Sequence, residues 1–190
     1  MSNIAIQGAT TGTGVFTLES PATNTDRTLV LPDEAGTVLT SAGVPALAMP
    51  AGSVIQVVQV STATAQGTNS TSYVDATGLS LNITPSSASN KILVMAHIEA
   101  AIGVSGLNTH GRYRILKNSA IDVAFQSLRN YDYGNSGVYS AGPVVITILD
   151  SPNTTSSVNY KVQFYKVAGD YMYVSGENGW STLTVMEIAA

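Results

Sequence analysis

The chain contains no cysteine. A disulfide-stapled scaffold, a thiolate metal site and a cysteine nucleophile are therefore excluded. Charge is scarce: only 11% of residues are charged, against about 25% in an average soluble domain. Eight basic residues against twelve acidic ones leave a net charge of −4. That balance lacks the clustered Lys and Arg of a nucleic-acid footprint, so no nucleic-acid partner is expected. The low Lys and Glu content also argues against helices, whose solvent faces they usually coat. No apolar run approaches the roughly 18 residues of a membrane span. The opening MSNIAIQGATTG has neither the basic stretch nor the apolar core of a signal peptide. The expectation is a protein made in a cytoplasm, without a membrane partner and not exported by the usual route.

What is present is Ser, Thr, Asn and Gly alongside 44% hydrophobic residues, enough to bury a core. A length of 190 residues fits one domain with an appendage, or two small domains. The sequons at Asn69, Asn82 and Asn153 read as turn residues in a Thr/Ser/Asn-rich chain.

Residues 1–51 differ from the rest. Short apolar clusters (Val15-Phe16, Leu29-Val30-Leu31, Val38-Leu39) alternate with turn-formers such as Ser20-Pro21 and Pro32-Asp33-Glu34-Ala35-Gly36. Each cluster suits one short strand, and three such strands cannot close a core of their own. This predicts an extended, β-rich arm that other chains must cover, with Phe16, Leu18, Leu29, Leu31, Val38 and Leu39 as its candidate docking residues. The segment Val44–Gly52 carries two prolines and reads as a stiff connector.

Residues 52–190 alternate apolar and polar positions in segments of strand length. Val54–Val60 is apolar on both faces, which predicts a strand covered on both sides. Leu79–Ile83, Lys91–Ile102, His110–Lys117, Ile121–Leu128, Val138–Leu149, Tyr160–Val167, Tyr171–Ser175 and Leu183–Ile188 complete the set. Gly142-Pro143 interrupts the long strand, and Gly169-Asp170 reads as a hairpin turn. No segment holds a capped helical period. Eight or nine short strands at this spacing predict an all-β, β-sandwich or jelly-roll-like knob.

Few residues suggest chemistry. His97 and Glu99 share one strand face, yet a metal site needs more ligands, so no metal or cofactor is expected. With Val54, Gln56 and Val58 they are candidate oligomer contacts. The twelve carboxylates are scattered, and nothing marks a pair at the roughly 5–9.5 Å that glycoside cleavage needs. No G-x-S-x-G elbow, P-loop or H-E-x-x-H occurs, so the chain is not expected to be an enzyme. Polysaccharide cleavage stays as the least favoured alternative. Tyr131, Tyr133, Tyr139 and Trp180 lie in or beside Gly/Asn-rich loops, with Asn130, Asp132, Asn135 and Asn178 as hydrogen-bonding neighbours. Aromatic faces beside amides suit the sugar rings of a surface glycan. The same aromatics could equally close the end of the sandwich.

The stretch Gly12–Gly43 resembles a segment of fibre and appendage proteins of tailed bacteriophages. It matches at Thr28-Leu29-Val30-Leu31-Pro32-Asp33-Glu34-Ala35-Gly36-Thr37-Val38-Leu39. The remainder resembles the heads of such proteins, at Gly52–Gln59, Thr71–Asp75, Ile83–Ser87, Lys91–Val94, Leu149–Pro152 and Leu183–Ile188. The resemblance implies a structural virion protein that forms a parallel homotrimer and docks on a capsid protein or tail adaptor through its arm. A short fibre or spike with an outward knob is the reading it favours. A capsid decoration or head-fibre protein that stabilises the shell is the alternative.

Overall fold

The computed structural model describes residues 11, 13, 25, 28, 49–103, 108–131, 140–176 and 179–190. By its contacts the chain divides into two units, Met1–Val38 and Leu39–Ala190. All the strands described below belong to the second. Phe16, Leu18, Leu29, Leu31, Val38 and Leu39 lie outside the described residues.

Ten strands follow one another: β1 (Val54–Thr62), β2 (Gln66–Thr68), β3 (Val74–Ile83), β4 (Lys91–Gly103), β5 (Asn108–Lys117), β6 (Ile121–Tyr131), β7 (Ser140–Asp150), β8 (Val158–Ala168), β9 (Tyr171–Val174) and β10 (Ser181–Ile188). No α-helix occurs among the described residues. The strands form two antiparallel sheets. One has six strands: β7 lies on one side of β4, while β10 and β9 share the other side, backed by β1 and β2. The other has the order β3-β8-β5-β6. β1 comes beside β3 and β6 beside β7, so the sandwich curls toward a flattened barrel. The fold is all-β and two-sheeted, as the alternation predicts.

That alternation builds the core directly. A strand turns successive side chains to opposite faces, so one parity of each strand points inward. Ile92, Val94, Ala96, Ile98 and Ala100 of β4 meet Leu183 and Val185 of β10 and Val144 and Ile146 of β7 on the inner face of the larger sheet. Opposite them lie Leu79, Leu81 and Ile83 of β3, Tyr113 and Ile115 of β5, and Tyr160, Val162 and Phe164 of β8. Tyr113 stacks on Phe164 with ring centroids 6.0 Å apart, and its hydroxyl donates to the Tyr173 carbonyl at 2.7 Å. Tyr160 donates to Asp150 Oδ2 at 2.6 Å, and Lys117 Nζ holds both oxygens of that carboxylate at 2.8 Å.

Four local expectations need correction. Gly169-Asp170 is not a hairpin turn. It carries the chain from β8 in one sheet to β9 in the other, which pairs with β4 and β2. Gly169 at φ 95° supplies the reversal, but turn chemistry does not choose the partner strand. Arg129, Asn130 and Tyr131 are not loop; they extend β6 and pair with His110, Thr109 and Asn108. Gly142-Pro143 does not break β7, because β7 pairs only with β4 and a strand with a free edge tolerates a missing N–H. Finally, β1 is not covered on both sides. Val58 and Val60 pack on the core, whereas Val54 and Val57 face outward and are about half exposed.

Candidate interaction surface

The second parity of the larger sheet builds its outer face, and pairing register arranges those residues in rows. One row crosses four strands: Val57 of β1, Met186 of β10, Leu93 of β4 and Leu149 of β7. Val57 and Leu149, at its two ends, are each 55% exposed, while Met186 and Leu93 are half-buried between them. Val54 and Ile188 flank the row on one side. On the other side run Gln59, Thr184, Met95 and Thr147, and beyond them Val145, exposed like Leu149, stands opposite His97. No charged residue interrupts the central row. Single exposed apolar side chains are ordinary, but a contiguous apolar row across a sheet marks an interaction face.

The predicted contact residues of this region separate on the two faces. Val54 and His97 point outward and are exposed. Gln56 and Val58 point inward. Gln56 Nε2 donates to Glu187 Oε2 at 2.6 Å and to the Thr84 carbonyl at 2.8 Å, and Val58 packs on the core, so neither side chain is presented on the outer face. Glu99 lies on the outer face but is half-buried under Gly179. A Cβ added at Gly179 would sit 2.1 Å from Glu99 Cγ. Among the described residues no three His, Asp or Glu side chains gather as metal ligands.

Of the aromatic loop residues, Trp180 is described and is 63% exposed, so it does not plug the sandwich. Trp180→Ala is therefore expected to change folding stability by less than about 0.5 kcal/mol, as surface substitutions do, with thermal melting as the check. For Asn130 and Tyr131 the structure describes the backbone within β6. Asp132, Tyr133, Asn135, Tyr139 and Asn178 lie outside the described residues.

The described carboxylates are largely committed to partners. Asp75 accepts from Lys161 at 2.9 Å and from Gln163, Asp122 from Arg114 at 2.6 Å, and Asp150 from Lys117 and Tyr160. Glu187 is the extreme case. Its parity on β10 turns it inward, and it is fully buried with no ion pair among the described residues. Asn90 Nδ2 donates to Oε1 at 2.6 Å, Ser86 donates its N–H and its hydroxyl to the same oxygen at 2.7 Å, and Gln56 takes Oε2. Burial alone would raise this carboxyl's pKa; the hydrogen bonds from Asn90, Gln56 and Ser86 outweigh burial and hold it below the usual range. Asn90 Oδ1 also accepts from the Ala190 N–H at 3.2 Å. The cluster ties the final strand to β1 and to the β3–β4 turn.

No family model and no curated protein sequence matches this chain. Solved structures give loose likenesses. Eiger TNF from S. frugiperda aligns at 6% identity and TM-score 0.37, covering 70% of this chain and 93% of that one. The VP2 subviral particle of infectious bursal disease virus aligns at 15% identity and TM-score 0.35, covering 70% of this chain and 33% of that one. The Gx strain of the same virus aligns at 14% and 0.33, with 71% and 32% covered. The chain thus spans about a third of the bursal virus chains it matches. The two-sheet architecture rests on the chain's own strand pairing.

Strand sequences with apolar residues at both parities are the signal that locates the outer row. It is present in Ile92-Leu93-Val94-Met95, in Val144-Val145-Ile146-Thr147-Ile148-Leu149 and in Val185-Met186 as well as in β1. Reading only the first strand this way finds Val54 and leaves Val57, Leu93, Leu149 and Met186 unnoticed.

Proposed function

We propose that this chain is a non-enzymatic structural protein of a virus particle, the short fibre or spike of a tailed bacteriophage. Its β knob assembles as a homotrimer through the outer face of the six-stranded sheet. Its N-terminal arm docks on a capsid or tail-adaptor protein. The segment Thr28–Leu39 and the knob motifs supply the phage resemblance. The observation that carries the assembly reading is the uncharged row Val57–Met186–Leu93–Leu149. Burying apolar surface is worth about 25 cal/mol per Å², so a face of this kind gains by meeting a second copy. The partly committed carboxylates favour a building block over an acid–base catalyst.

Light scattering on the full-length protein at micromolar concentration tests this reading. The expected mass is three times that of the 19.7 kDa chain. Leu149→Glu is expected to dissociate the assembly while leaving the knob folded, because its side chain is half exposed and takes little part in the core. A monomeric native mass, or a Leu149→Glu variant that assembles as before, overturns the reading.

A further inference from the structure

The outer face of the smaller sheet holds cations that meet no counter-charge among the described residues. Three of the chain's four arginines, Arg112, Arg114 and Arg129, lie there. Register sets them on a grid. Arg114, Arg112 and His110 run along β5, opposite Phe125, Ser127 and Arg129 of β6, while Gln163 and Tyr165 of β8 flank Arg114 and Arg112. At one end of the grid the charge is accounted for. Arg114 bonds Asp122 and Gln163 and lies 3.7 Å above the Tyr73 ring. At the other end it is not. Arg129 Nε donates to His110 Nε2 at 3.2 Å, which requires that ring nitrogen to be unprotonated. Arg112 Nε is buried with no hydrogen-bond partner. None of the three ion pairs among the described residues involves Arg112, Arg129 or His110.

A protein with more acids than bases has no need to crowd its cations together. Same-face neighbours on one strand are about 7 Å apart, and diagonal cross-strand neighbours about as far, so these groups repel one another. Burial first, and then Arg129 and Arg112, push the His110 pKa below its usual value. A buried guanidinium N–H without an acceptor is itself unfavourable. An oxyanion placed between Arg112 and Arg129 removes the repulsion, and arginine forks suit oxyanion geometry. The neighbours narrow the ligand class. Tyr165 stands opposite Arg112 in register, its ring edge-on to Tyr73 with centroids 4.4 Å apart, and the 68% exposed Phe125 lies on the same face, so aromatic surface adjoins the charge. A sugar ring offers C–H faces to such surfaces.

We infer that His110, Arg112 and Arg129, flanked by Tyr165 and Phe125, form a binding site for the oxyanion of an acidic sugar, carried as a uronate or a phosphate ester. The site lies on the opposite sheet from the assembly face and does not rest on the assembly reading.

Calorimetric titration of the full-length protein at fixed ionic strength tests it with three probes: glucuronate, glucose 6-phosphate and glucose. At least one acidic sugar is expected to bind at about millimolar dissociation constant, with glucose far weaker. Which acid binds tighter identifies the oxyanion. Arg112→Gln and Arg129→Gln are each expected to weaken binding about tenfold. They are also expected to leave the ligand-free melting temperature unchanged or raised, since each removes repulsion; a purely structural arginine would lower it. If Arg112→Gln does not fold, the exposed Arg129→Gln decides. Acidic sugars that bind no better than glucose, or folded variants that bind like the native protein, overturn the proposal. The assembled mass, measured on the same samples, keeps this outcome separate from the assembly reading.

Discussion

Glu187→Ala is expected to cost about 4 kcal/mol of folding stability, one of the largest losses available to a single substitution in the knob. The substitution removes the acceptor that three residues share; Gln56 keeps its bond to the Thr84 carbonyl and Asn90 keeps a longer one to Ser86 Oγ. Asn90 is itself buried, Gln56 faces inward, and Ser86 loses the acceptor for both its N–H and its hydroxyl. Weakening the hydrogen bonding of the buried Asn90 costs roughly 1–3 kcal/mol, the lost charge-assisted bonds from the half-buried Gln56 and the exposed Ser86 add less, and the cavity left by the side chain adds to this. For a protein of this size, the melting temperature would drop by about 10 °C. Glu187→Gln keeps the volume and one acceptor oxygen and is expected to cost about half as much.

The same residue predicts a pH dependence. The folded carboxyl has a pKa below its ordinary value of 4.5. The folded state therefore binds fewer protons than the unfolded chain in the acid range, and stability rises with pH there. The contribution is fully present above 4.5 and is lost as pH falls through the lower folded value. Melting of the native protein should thus fall more steeply between neutral pH and about pH 3 than melting of Glu187→Gln. Parallel curves for the two proteins would show that folding leaves the Glu187 carboxyl unshifted and that the hydrogen bonds do not favour its ionised form.

The second large effect is expected at Gly111 of β5. Replacing glycine by alanine within a strand ordinarily gains about 0.5–1 kcal/mol by reducing the entropy of the unfolded chain. Here the sign reverses. A Cβ at Gly111 would lie 1.8 Å from Met172 Sδ and 2.2 Å from its Cε. Methionine is flexible, but Met172 is fully buried, and close-packed interiors leave little room for its end to swing aside. Overpacking of this kind costs about 1–3 kcal/mol, so Gly111→Ala is expected to destabilise by about 2 kcal/mol net. The pair is also expected to be non-additive. Met172→Ala alone opens a cavity, and Gly111→Ala added to it should cost little or even stabilise. Denaturant unfolding of the four proteins in this cycle measures the coupling, expected at about 1–2 kcal/mol. Additive costs would mean that the backbone relaxes around the new methyl group.

Much of the knob is legible in the amino-acid sequence because alternation is a local property. The parity of Ile92, Val94, Ala96, Ile98 and Ala100 alone sends them inward, and the same rule applied to Leu183, Val185 and Glu187 places a carboxylate in the core. Pairing is not local. Glu187 is satisfied by residues 97 to 131 positions away, and nothing in the spacing of Gln56, Ser86 and Asn90 announces that they converge. Gly169-Asp170 turns the chain, while the sheet that receives it depends on which edge of β4 is open. The two surfaces follow the same division. Apolar residues at both parities of β1, β4 and β7 are visible in the sequence, but whether the second face meets a helix, another sheet or solvent depends on how the sheets close. Arg112 and Arg129 are 17 positions apart along the chain, and only the β5–β6 register brings them onto one face without a carboxylate partner among the described residues. Side-chain direction was thus set by the sequence through the two-residue period of a strand, whereas the tertiary structure alone decided which faces stay open, because that depends on the relative register of strands far apart in the chain.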